Sequence, residues 1–111
     1  MAIFYKGSEY KFSIELAAEG FSMDDDDFDI EVASPRNSVV GHKNAAKNTD
    51  TDVVIFKQTG AVSGWYAIVD TTNLQIGDLR VIATAYIIDS NANDGVRKEI
   101  AVTPFGKLVN P

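Results

Sequence analysis

Carboxylates are the residues with the greatest chemical capacity in this chain, and they concentrate at 24–27, with Asp29 just after. Clustered carboxylates repel one another, and a divalent cation relieves that repulsion. No neighbouring ligand fixes a coordination geometry, so a solvated turn between strands is the preferred reading of this run. A second stretch, 89–95, offers oxygen donors at Asp89, Asn91 and Asn93 in the manner of a calcium loop. Its register fails: Asp94 stands where the loop needs glycine, and the twelfth position holds Ile100 in place of a bidentate glutamate. No metal and no cofactor are expected.

His42 is the only histidine, and no second histidine, cysteine or carboxylate stands beside it in sequence at metal or catalytic spacing. It reads as an ordinary loop residue. No serine sits in a Gly-x-Ser-x-Gly elbow, so a serine triad is not indicated. Paired carboxylates are abundant, but a glycosidase needs a cleft that a chain of 111 residues rarely builds. Catalysis is therefore not expected.

The elements that would position these residues are strands. Apolar and polar residues alternate at Tyr10, Phe12, Ile14 and Leu16, at Phe28, Ile30 and Val32, and at Leu79, Val81, Ala83, Ala85 and Ile87. Period two marks half-buried β-strands. The pattern predicts strands over 8–17 and 28–33, a turn at 34–38 around Pro35, and a short strand beginning at Val39. Residues 41–52 are polar and predict a surface loop, with one helical turn at 43–47. The apolar run 53–56 pairs as a hairpin with 65–69, a strand in which Trp65 and Tyr66 point to opposite faces. Strands over 79–88 and 96–103 follow, the last with Val96, Ile100 and Val102 on one face and Pro104 as its terminator. Six or seven short strands predict an all-β domain, an immunoglobulin-like antiparallel β-sandwich, with a small β-barrel as the alternative.

A 12.1 kDa chain buries roughly two thirds of its extended surface, enough for one modest core. There is no cysteine, so no disulfide reinforces that core. The formal net charge of −6 opposes any grip on nucleic-acid phosphates, and the lysines and arginines are scattered. No apolar stretch is long enough to span a bilayer, and the opening residues do not resemble a signal peptide, which predicts synthesis in the cytoplasm.

Both ends of the chain carry apolar residues outside the predicted strands. The organisation expected is an N-terminal arm over 1–7, a sandwich over 8–103 and a C-terminal tail over 104–111. Ile3, Phe4 and Tyr5 in the arm and Phe105, Leu108 and Val109 in the tail either fold back on the domain or dock on a neighbouring subunit. In the second case these six residues are the partner interface.

Gly7-Ser8-Glu9-Tyr10-Lys11-Phe12-Ser13-Ile14, followed by Glu19-Gly20-Phe21-Ser22-Met23-Asp24 and Asp27-Phe28, resembles small immunoglobulin-like virion proteins of tailed phages of gut Bacteroidetes, including crAss-like phages. Gly64-Trp65-Tyr66, Ile76-Gly77-Asp78-Leu79 and Asp94-Gly95-Val96-Arg97-Lys98-Glu99 look like late hairpins of that family, so the likeness covers most of the chain. These motifs are structural and carry no catalytic residues. The resemblance implies a virion structural component, most naturally an auxiliary or decoration protein on the capsid, or else a head-fibre or tail-associated module. Its partners would be the major capsid protein, other virion proteins or further copies of itself. Neither nucleic acid nor membrane is implied, and the site of action would be the virion assembled in a bacterial host.

Two other classes compete. A carbohydrate- or host-surface-binding module would present an aromatic platform at Tyr66 or Tyr86. An adaptor with one protein partner would present a free sheet edge, for which residues 53–56 are the natural candidate.

Overall fold

The computed structural model describes residues 2–48 and 52–111. The middle of the expected 41–52 loop, residues 49–51, lies outside the described residues. Eight strands follow one another: β1 (Ile3–Tyr5), β2 (Glu9–Ile14), β3 (Phe28–Ala33), β4 (Ser38–His42), β5 (Val53–Gln58), β6 (Gly64–Asp70), β7 (Gly77–Ile88) and β8 (Val96–Val109). Among the described residues the one helical element is a single 3₁₀ turn, Ala45–Lys47.

The strands form two sheets, one of five in the order β1-β8-β7-β3-β4 and one of three in the order β2-β6-β5. The period-two alternation selects which face of each strand meets the core. Phe28, Ile30 and Val32 on β3 point inward with Ala83, Ala85 and Ile87 on β7, against Ala67 and Val69 of β6 and Val53 of β5. Tyr10, Phe12 and Leu16 close this core from the β2 side. The chain is thus an all-β sandwich of two sheets.

One flank of the sandwich is closed and the other is open. On the closed flank β4 abuts β5 so tightly that a Cβ on Gly41 would lie 2.5 Å from the Val53 carbonyl oxygen. On the open flank a gap runs between β2 and β8, floored by Ile30, Val81 and Ala83 and walled by Phe12 and Thr103. Strand β8 is long, and only its last residues, 107–109, have a neighbour, β1, on the side away from β7.

Three expectations need correction. There are eight strands rather than six or seven, because Ile3, Phe4 and Tyr5 form β1, which pairs in parallel with residues 107–109. Pro104 does not end the last strand. It faces Arg80 at a position where β8 offers no hydrogen to β7, and a β-bulge at Phe105 carries the strand onward. Residues 41 and 42 belong to β4, because the 34–37 turn sets a register that reaches Asp29 opposite His42.

The bulge also explains a reversal of facing. Before it, the odd residues of β8 share the inner face with Val81 and Ala83; after it, the even ones do, and Leu108 is fully buried. Val96, Ile100 and Val102 do share one face, as their spacing predicts, but that face is the outer one.

Candidate functional site

The expected interface residues come together at the open end of the sandwich, where they pack mostly on one another. Phe4 stacks on Phe105 at 4.7 Å between centroids and meets Tyr10 edge-on at 4.5 Å, while Phe12 lies 4.9 Å from Phe105. The Tyr5 backbone N–H donates to the Tyr10 hydroxyl at 2.8 Å. Thr71, fully buried, receives the Gly7 N–H at 3.0 Å and donates to the Ser8 carbonyl at 2.7 Å, fastening the start of the chain to the turn after β6. Leu108 is therefore a core residue, Phe4 and Phe105 are partly buried against that core, and β1 and the end of β8 are paired strands of the larger sheet. Ile3 and Tyr5 remain about half exposed, and Val109 is partly buried.

The acidic run is a solvent-exposed turn, as expected, and it is also anchored. Asp24 Oδ1 accepts from Lys57 Nζ at 2.8 Å and from Trp65 Nε1 at 2.9 Å. The Lys57 bond first, and then the Trp65 bond, hold the Asp24 carboxyl below its ordinary value of 3.8. Lys43 Nζ donates to the carbonyls of Asp24 and Asp26, both at 2.8 Å, and sits 5.3 Å above the Trp65 ring. Asp26 Oδ2 accepts the Ser22 N–H at 2.9 Å. Lysines thus provide the positive charge beside this run. Among the described residues no group of three acidic or histidine side chains is arranged to hold a metal ion. In the other acidic stretch, Asp89 accepts from the Asn91 N–H at 3.0 Å and pairs with Arg97.

His42 has neighbours that sequence spacing did not show. Its Nδ1 lies 2.5 Å from Asp29 Oδ1, and the Tyr86 hydroxyl donates to Asp29 Oδ2 at 2.7 Å. The hydrogen bond to Asp29, then burial, then the charge of Asp29 push the Tyr86 hydroxyl up to about 12. The cluster ties β3, β4 and β7 together on the outer face. The signal was present in the hairpin register: counting back from the 34–37 turn places residue 29 opposite residue 42.

Both aromatic platforms are capped. Trp65 faces inward, edge-on to Phe28 at 5.5 Å, and Tyr66 faces outward, as opposite-face geometry requires. Lys11 Nζ lies 4.7 Å from the centre of the Tyr66 ring, and Phe56 stacks beside it at 6.1 Å. Tyr86 has Lys47 and Lys98 each 5.8 Å from its ring. Strand β5, the candidate free edge, has one hydrogen-bonded neighbour, β6, while β4 crowds its Val53 end.

What sequence reasoning missed is an apolar outer patch on β7 and β8. Ile88 is 84% exposed, Ile100 60%, Val102 59% and Val96 41%. They share the outer face with Ile82. Lys98 and Tyr86 stand between the Ile88–Val96 and Ile100–Val102 groups on that face, and exposed apolar groups gathered on one face of a small domain mark a binding face. The only sequence signal was the strand phase of 96–102, which becomes a facing once the 89–95 loop sets its register against β7.

No protein-family model matches the chain, and no curated protein and no solved structure is similar to it at a significant level.

Proposed function

We propose that this protein is a non-enzymatic structural component of a phage virion, an immunoglobulin-like auxiliary or decoration protein that binds the capsid surface in many copies. The observation that carries the reading is the exposed aliphatic face made by Ile88, Val96, Ile100 and Val102. It lies on a rigid sheet, where a flat partner can meet it, and a repeated lattice multiplies a modest contact through multivalency. The resemblance of the 7–14 and 19–28 segments to phage virion proteins supplies the partner, the major capsid protein or its neighbours in the head. The acidic surface is consistent with a role outside the nucleic-acid compartment.

The carbohydrate-binding alternative is less well supported, because Lys11 covers Tyr66 and two lysines flank Tyr86. Mixing purified protein with capsid shells from the same phage, followed by electron imaging, tests the proposal. Regularly spaced density on the shells is expected, and an Ile88→Glu exchange is expected to abolish it while leaving the fold intact. Shells that stay bare in the presence of excess protein would refute the capsid reading.

A further inference from the structure

Strand β8 leaves a backbone edge open. The Asp89 N–H donates to the Gly95 carbonyl, which fixes the hydrogen-bond phase of the β7 and β8 ladder. In that phase residues 97, 99, 101 and 103 bond to β7, while residues 96, 98, 100 and 102 aim their N–H and C=O groups away from it. Pro104 follows the same phase, since it has no N–H to offer. Beyond the bulge the edge is already in use: the Lys107 N–H donates to the Ala2 carbonyl, and the Lys6 N–H donates to the Val109 carbonyl. The edge therefore accepts a strand at one end and, with the Val96 N–H taken by Asp94 Oδ1 at 3.2 Å, offers its outward-facing groups along 98–102.

We infer that a second copy of this chain occupies this edge, with the two β8 strands running antiparallel about a two-fold axis at Ile100. Three observations select that occupant and register. First, Ile100 opposite Ile100 makes hydrogen-bonded pairs of Ile100 with its counterpart and of Lys98 with Val102 in both directions, so the outward-pointing groups satisfy one another. Second, this register places no like charges directly opposite. Sliding the centre to Glu99 sets glutamate against glutamate, and sliding it to Lys98 sets lysine against lysine, both unfavourable. Pro104, which lacks a donor, faces Val96 in this register, at the end of the paired run where the Val96 N–H is already taken by Asp94; sliding the centre to Ala101 moves that missing donor inward to Lys98. Third, this register ends the pairing at 104, short of the stretch 107–109 that β1 already occupies.

A two-fold axis perpendicular to the sheet keeps both outer faces on the same side. The sheets merge, and the patches of Ile100 and Val102 from the two copies become one larger apolar face. An edge strand exposed on both faces with an aliphatic run at Ile100, Ala101 and Val102 is an aggregation hazard when unpaired, and self-pairing removes it. This inference stands independently of the capsid reading, since it concerns the protein alone.

Sedimentation equilibrium from micromolar to several hundred micromolar, with amide hydrogen exchange at the two extremes, tests it. Twice the monomer mass is expected at high concentration, together with slowed exchange at the Lys98, Ile100 and Val102 amides that is lost on dilution. Ile100→Lys, which sets two lysines opposite each other, is expected to weaken self-association by at least about tenfold with an unchanged circular dichroism spectrum. Val102→Lys serves the same purpose should the first variant misfold. A monomer mass throughout, or a dimer whose amides at these positions exchange freely and which tolerates both substitutions, would overturn the inference. So would a protein that stays monomeric alone and pairs this edge only with a strand from another protein.

Discussion

Asp29 receives hydrogen bonds from two directions, and the consequence is carried by Tyr86. With its hydroxyl pushed to about 12, Tyr86 holds its proton well above the ordinary tyrosine value of 10.0. A pKa raised in the folded state stabilises the fold fully below the unfolded value and loses that contribution as pH rises through the folded one. The stabilisation from this hydroxyl should therefore be complete below about pH 10 and fade between about pH 10 and 12. Ultraviolet titration of the phenolate should show one late-ionising tyrosine, and Asp29→Asn should bring it back toward 10. Asp24 has the opposite sign. Its lowered carboxyl contributes stability above the ordinary value of 3.8 that is lost as pH falls through the folded value. Because Asp24 accepts from the Trp65 indole, the emission of the only tryptophan should shift on acidification below about pH 4. In Asp24→Asn that acid-induced shift should be absent. Neither cluster was legible from local spacing, since Asp24 and Trp65 are separated by 41 residues and meet only through the fold.

At the scale of elements, the strands whose inner faces form the core were legible, because period two and burial agree on β3 and β7. The pairing of 53–56 with 65–69 was legible for a different reason, the turn residues 59–64 between two β-prone runs. Strand β8 was legible over 96–103 and not beyond: a bulge inserts one residue and inverts every facing after it, which no alternation count reveals. That inversion converts the supposed tail into core. Truncation after Thr103 removes Phe105 and the fully buried Leu108, so the shortened chain should lose its cooperative melting transition rather than only a docking function. Leu108→Ala alone should cost about 2–5 kcal/mol in chemical denaturation. The closed flank gives a second check. Gly41→Ala drives a methyl into the Val53 carbonyl, where backbone cannot yield cheaply, and should destabilise by about 1–3 kcal/mol.

For the whole molecule, the asymmetry between flanks organises the surface. The closed flank is sealed by β4 and β5, the open flank keeps a gap between β2 and β8 lined in part by Phe12 and Phe105, and the apolar outer patch lies on the β7 and β8 side. A small, acidic sandwich with one apolar face suits repeated attachment to a larger assembly. The most direct measurement is electron imaging of capsid shells saturated with the purified protein. Attachment to the virion predicts saturable, symmetric density whose contact surface contains Ile88, Ile100 and Val102. Shells without added density, or density attached through the β2, β5 and β6 face, would contradict it.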